Sequence, residues 1–243
     1  KKNRLSPSSC RRMWLLKNTR GKRICKMTVS AVPHSSPAVF QTGGLKIKYL
    51  MPEELDRLTA TWRTWYDKSP SSAKRRIRGR HWLIYLTMRH TGSRLGEVLQ
   101  IKDDIDINTR QSEIRITTLK RRTGEKRLVP VVPELISEIA SYLMDHPEVR
   151  GRLFKLDPSN FRKRFYDMAD KAGLLREEFS NGNRELFPHP HTLRHTRAME
   201  LLSAGVPVTA VQDLLGHSSL LTTAQYLRLS GQDIKNVLRD RGL

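Results

Sequence analysis

What most limits how this chain folds is a composition boundary near residue 47. Residues 1–47 hold 11 Lys or Arg and no Asp or Glu, and Gly43-Gly44 with the Ser- and Pro-containing stretches 6–9 and 30–37 add small, turn-forming residues. A segment with no internal acid and little apolar patterning cannot close a core of its own, so 1–47 reads as an irregular or disordered basic arm. An arm lying along DNA is the functional reading, and an upstream tail with no role is its plain alternative. Met13-Trp14-Leu15-Leu16 falls short of the roughly 7 to 15 apolar residues of a secretory signal.

The core must therefore come from the residues after the boundary, and their patterning is mostly helical. Pro52 suits a first helical turn, Glu53-Glu54 suit its positive end, and Leu55, Leu58, Thr59 and Trp62 recur at i, i+3, i+4 and i+7, which predicts a helix ending near Asp67. Residues 69–72 read as a loop and 74–80 as a charge run that contacts phosphates or is solvated. An apolar helix over 82–88 is broken by Thr91-Gly92-Ser93, and a second helix over 94–101 is expected with Ser93 as its cap. Residues 112–119 alternate polar and apolar, 120–126 are polar with Thr123-Gly124, and 127–131 resume the pattern: a hairpin with a basic tip. Helices follow over 133–144, with Leu135, Ile136, Ile139 and Leu143 on one face, and over 159–172, with Phe161, Phe165, Met168 and Ala169, stopped at Gly173. Thr192 caps a helix that stops at Gly205, Pro207 opens another closed by Gly216, and Ser218 or Ser219 caps one bearing Tyr226. The class is mainly α with a small antiparallel β-sheet.

The formal net charge of +21 calls for a polyanionic partner, nucleic acid first. No run approaches the roughly 18 apolar residues of a spanning helix, so no membrane partner is expected. Cys10 and Cys25 both lie in the basic arm, which excludes a disulfide framework for the core and makes the reducing cytoplasm the default compartment. No Cys/His spacing of a metal site occurs. With 7% aromatic residues and no aromatic-rich strand, an RNA-binding module is disfavoured.

Chemistry concentrates near the end of the chain: His191-Thr192-Leu193-Arg194-His195, then Leu215-Gly216-His217, then Tyr226 nine positions on. Each has a plain structural reading alone: His191 as a turn residue beside Pro188 and Pro190, Arg194 as a surface charge, His217 at a helix end, Tyr226 in a core. Together they suit phosphate chemistry, because a guanidinium fork matches phosphate oxygens, imidazole moves protons near neutrality, and a phenolic oxygen is a nucleophile. His191 and Arg194 flank a helix start, where backbone N–H groups already favour an anion.

Taken in order, Thr91-Gly92-Ser93-Arg94-Leu95-Gly96-Glu97, the H-x-x-R-H run, Leu215-Gly216-His217 and Tyr226 resemble the signature of the tyrosine recombinases, or phage-type integrases, over about residues 50 to 243. The resemblance implies the catalytic-domain fold of that family over 48–230, preceded by the arm 1–47. A C-terminal helix over 231–243, with Ile234, Val237 and Leu238 as its apolar stripe, is passed to a neighbouring protomer or packs in cis. The family places a lysine on a hairpin between its two arginine motifs. Lys120 fills that place, with Lys126 as the alternative, since Arg121 and Arg122 do not release protons.

The implied activity is site-specific cutting and rejoining of DNA strands. Tyr226 attacks a phosphodiester to give a 3′-phosphotyrosyl enzyme. Arg94, Arg194 and His217 hold the phosphate oxygens, His191 accepts the tyrosine proton, Lys120 protonates the departing 5′ oxygen, and Glu97 orients its neighbours. No cofactor and no metal is implied. The implied partners are double-stranded DNA and further copies of the chain, a homo-oligomeric tetramer on DNA, in the cytoplasm at the nucleoid or a plasmid, as for enzymes of mobile genetic elements. Two rivals stand beside this reading: a non-catalytic DNA-binding accessory protein on the same scaffold, and strand relaxation of the type IB topoisomerase kind. Family members carry a helical core-binding domain of roughly a hundred residues before the catalytic domain. About 50 residues precede it here, so this is a truncated or minimal member, or the arm does part of that work by counterion release.

Overall fold

The computed structural model describes residues 48–118, 124–180 and 183–216, and the backbone of two strands in the arm, Met13–Lys17 (β1) and Arg23–Thr28 (β2); of residues 179, 180 and 183 only the backbone is described. β1 and β2 pair antiparallel, with an irregularity in register between Trp14 and Leu16. The arm was expected to be irregular throughout. Charge counting overlooks the β-favouring runs Trp14-Leu15-Leu16 and Ile24-Cys25.

Helix α1 (Pro52–Asp67) forms as its periodicity predicts, burying Leu55, Leu58, Trp62 and Tyr66. Its first turn is closed by Glu54, whose Oε2 accepts from the Met51 N–H at 2.9 Å. Helix α2 (Ser72–Thr91) joins the charge run and the apolar segment into one helix of 20 residues, capped at Ser71. The arginines of the run are therefore not simply solvated. Arg78 donates to the carbonyls of Trp65 and Lys68, and Arg80 to those of Arg152 and Leu153. After the short α3 (Leu95–Val98), a three-stranded antiparallel sheet is ordered β3 (Ile107–Asn108), β4 (Glu113–Thr117), β5 (Lys126–Pro130). The β4–β5 pair is the expected hairpin, in register from Glu113 opposite Pro130 to Thr117 opposite Lys126.

Helices α4 (Pro133–Asp145) and α5 (Pro158–Lys171) follow at the predicted places, separated by a 3-10 turn at Pro147–Val149. A second hairpin of β6 (Arg176–Ser180) and β7 (Asn183–Phe187), absent from the sequence expectations, precedes α6 (Thr192–Ser203) and α7 (Val208–Leu215). The main core centres on Trp62, whose ring stacks on Tyr85 at 5.0 Å and Phe161 at 6.0 Å, tying α1 to α2 and α5. A smaller cluster of Ala198, Met199, Leu202, Val211 and Leu215 joins α6 to α7. The protein is thus mainly helical with small antiparallel sheets, as expected. Among the described residues no helix is long and apolar enough to cross a membrane.

Candidate active site

The site is built on the abrupt end of α2. Gly92 closes the helix in the left-handed region, φ 63°, its N–H donating to Met88 O at 2.9 Å. A Cβ here would lie 2.5 Å from Leu215 Cδ2, so both the backbone angle and the approach of α7 require glycine. The reversal makes Arg94 the residue before α3. Ser93, expected as the cap, does not cap: the Arg94 N–H instead donates to Glu97 Oε2 at 3.2 Å. Helix α3 ends at Val98 rather than running through 101, because the N–H groups of Gln100 and Ile101 turn to the carbonyls three residues back.

Glu97 is wholly buried and holds two cations. Its Oε1 accepts from Arg94 Nη1 at 2.8 Å and its Oε2 from Arg127 Nη2 at 2.9 Å. Burial alone would push this carboxyl up. The hydrogen bond and charge of Arg127, with the side-chain and backbone hydrogen bonds of Arg94, outweigh it and hold the group below the usual glutamate range.

Helix α6 brings the second arginine of the motif to the same turn. Arg194 is 1% exposed, and its Nη1 donates to Gly92 O at 3.1 Å across 102 positions of sequence. His191 occupies the N-cap position of α6 and is exposed, its ring edge-on to His195 at 4.7 Å and parallel to His189 at 6.3 Å. Thr192, expected as the cap, is the first helical residue, and its Oγ1 accepts from the His189 N–H at 3.1 Å. Burial holds His189 below its usual pKa, against the opposing charge of Glu185. An open groove of about 730 Å³ runs past Arg94, Arg162, Tyr166, Arg184, His189 and His191.

The structure thus brings together Arg94, Glu97 and Arg194 around one turn, and Arg94 and His191 along one groove. Lys120, His217, Tyr226 and the segment 231–243 lie outside the described residues. Lys126 is exposed on β5 opposite Thr117, on the strand face it shares with Leu128 and away from the face by which Arg127 reaches Glu97. Among the described residues no group of three or more His, Cys, Asp or Glu is arranged to hold a metal ion.

Three site residues escaped the sequence motifs: Arg162 and Arg184 in the groove, and Arg127. Only Arg127 left a signal. Alternation along β5 places it on the same face as the buried Val129, and an arginine on a core-facing position needs buried acceptors to meet it.

The model of the phage integrase family matches residues 48–232. The tyrosine recombinase XerA of Pyrococcus furiosus is 30% identical over 179 residues, covering 70% of this chain and 57% of that protein. Tyrosine recombinase XerC of Chlamydia pneumoniae is 35% identical over 144 residues, covering 58% and 44%. A crystal structure of the XerH site-specific recombinase, bound to a palindromic difH substrate in a post-cleavage complex, superposes with a TM-score of 0.61 at 25% identity, over 81% of this chain and 53% of that one. The chain spans about half the length of the curated relatives it matches. With the family's pattern running through most of the sequence and the fold shared with its solved members, this chain belongs to the phage integrase family, the tyrosine recombinases.

Proposed function

We propose that the protein is a site-specific DNA recombinase that cuts and rejoins strands through a 3′-phosphotyrosyl intermediate, with residues 48–230 as its catalytic domain. The observation that carries this reading is the convergence of Arg94 and Arg194 on the Gly92 turn, with His191 in the groove that Arg94 lines. The charge of +21 and the arginines of the groove support a DNA partner, as does the DNA-bound state of the similar XerH recombinase.

In this reaction the Tyr226 oxygen attacks the scissile phosphorus, the O–P bond forms as the P–O5′ bond breaks, and the phenolic proton passes to His191. Lys120 returns a proton to the departing 5′ oxygen. Lys126, on the outward face of β5, is the less suitable donor. Negative charge gathers on the non-bridging oxygens as the phosphorus becomes five-coordinate. Arg94 and Arg194 meet it with charge-assisted hydrogen bonds, and His217 adds a donor; one such donor contributes about 10²–10³ in rate. The phosphotyrosyl bond keeps the energy of the broken phosphodiester, so the 5′-hydroxyl of a second strand reverses the step without a cofactor. Exchange between duplexes requires several active sites, and a homo-oligomeric tetramer on DNA supplies them.

The test is Tyr226→Phe on a suicide DNA substrate. DNA binding is retained, and covalent protein–DNA adducts disappear because the ring stays while the nucleophilic oxygen goes. Adducts at the wild-type level would overturn the assignment, and relaxation of a supercoiled plasmid without recombinant product would turn the reading toward topoisomerase chemistry.

A further inference from the structure

Arg127 lies outside every motif, yet its guanidinium reaches four separate stretches of the chain. Nε donates to Leu214 O at 2.9 Å, Nη1 to Thr118 Oγ1 at 2.8 Å, and Nη2 to Ser93 Oγ at 3.1 Å and Glu97 Oε2 at 2.9 Å. Its side chain is only 11% exposed. The acceptors belong to the last turn of α7, the end of β4, the turn before Arg94, and α3. Three of them lead directly into a residue of the proposed chemistry: Leu214 is three positions before His217, Thr118 two before Lys120, and Ser93 adjoins Arg94.

We propose that Arg127 is a positioning residue for strand cleavage: without touching DNA, it fixes the turn before Arg94, the end of β4 and the last turn of α7 in one relative arrangement. This rests on the recombinase reading above. Arginine suits the task because five N–H donors in a rigid plane reach four acceptors in different directions, whereas a lysine ammonium offers three donors from one point. The α7 turn is shaped to the guanidinium. Gly216 has φ 68°, and a Cβ there would stand 2.9 Å from Arg127 Nη1 and 3.1 Å from Cζ, so the backbone just before His217 closes onto the plane of the arginine. Arg127 also governs Arg94 through Glu97. With both arginines present, the buried carboxylate divides its charge between them. With Arg127 gone, Arg94 alone must balance it and is drawn from phosphate toward Glu97.

The experiment compares wild type, Arg127→Lys and Arg127→Gln in the full chain, by single-turnover cleavage of a suicide DNA substrate across pH and by DNA affinity at fixed salt. Arg127→Gln should cleave about a hundredfold more slowly, the scale expected when a group far from the chemistry misplaces reacting residues, while DNA affinity stays within a factor of about three, below one charge-assisted hydrogen bond. Its acid limb should move to higher pH, because the charged groups bonded to Glu97 fall from Arg94 and Arg127 to Arg94 alone. Arg127→Lys should fall between, keeping a cation for Glu97 while losing the fork.

Cleavage at the wild-type rate, or binding and cleavage falling together with the acid limb unmoved, would overturn the proposal and leave Arg127 a fold residue. If Arg127→Gln does not fold, Thr118→Val decides. It removes one acceptor at nearly constant shape, should slow cleavage about three- to tenfold, and overturns the proposal if it cleaves at the wild-type rate. A wild-type protein that forms no adduct dependent on Tyr226 would instead count against the recombinase reading itself.

Discussion

Replacing Glu97 by glutamine keeps the shape of the side chain and removes the one charge that two partly buried arginines share. The carboxylate is wholly buried and accepts from Arg94 Nη1, Arg127 Nη2 and the Arg94 N–H. Glutamine presents one oxygen and one NH₂ group. Whichever way the amide turns, an N–H faces a guanidinium N–H. Breaking a buried pair from one side costs about 3–5 kcal/mol, because the remaining charge stays desolvated. Arg94 and Arg127 retain some solvent contact, 23% and 11% of their side chains, which places the expected loss near the lower bound, about 3 kcal/mol. In a domain of this size that lowers Tm by roughly 6–12 °C. Thermal unfolding followed by circular dichroism at pH 7 measures it. The sign with pH gives a second check: the folded carboxyl sits below its ordinary value of 4.5, so its contribution is complete above pH 4.5 and fades as pH falls through the folded value. The gap between wild type and Glu97→Gln should therefore narrow below pH 4.5. A Tm within 2 °C of wild type at pH 7, or a gap that stays constant into acid, would refute the account of Glu97 as the charge holding both arginines.

Two further outcomes follow from the same region. His90, at the end of α2, is pulled down to about 4 by burial and by the charges of Arg89 and Arg197, so the folded protein binds fewer protons there than the unfolded chain between pH 6.5 and about 4. Stability should fall across that window by about 1–2 kcal/mol, after solvent screening of a partly exposed ring, and His90→Gln should flatten the fall; equal slopes in the two proteins would contradict the shift. Gly92→Ala should cost about 2–4 kcal/mol, from the left-handed angle together with the clash against Leu215. It should also slow DNA cleavage more than it weakens binding, because the turn carries Arg94 and accepts from Arg194; a variant that melts and cleaves like wild type would show that the turn does not set the site.

Much of this was legible in the sequence where a local rule governed. The apolar spacing of Leu55, Leu58 and Trp62 and the prolines at 52 and 133 located helices because burial of one face and an orphan first turn are properties of a few neighbouring residues. Other elements depended on partners remote in sequence. Helix α2 runs through its charged half because Arg80 meets carbonyls 72 and 73 positions away, which no window over residues 74–80 contains. The β6–β7 hairpin alternates mostly charged residues, Glu177, Glu178, Arg184 and Glu185, so the apolar period was missing, although Asn181-Gly182 is itself a hairpin signal.

Arg127 shows how a local misfit carries information about the site. A strand that packs on a core should turn its leucine inward and its arginine to water, yet in β5 Leu128 is 57% exposed while Arg127 lies on the face of the buried Val129. Exchanging the two would remove a largely buried cation and cover an exposed leucine, a gain by packing alone. Stability of the sheet therefore does not account for the order. A fold that must hold a carboxylate beneath Arg94 does, because a lone buried glutamate would either bind Arg94 fully, taking from the groove a cation free to meet phosphate, or take up a proton and no longer hold Arg94 in place by its charge. On the proposed reading the second arginine lets Glu97 stay ionised without claiming the first, and the inverted strand face follows from that demand.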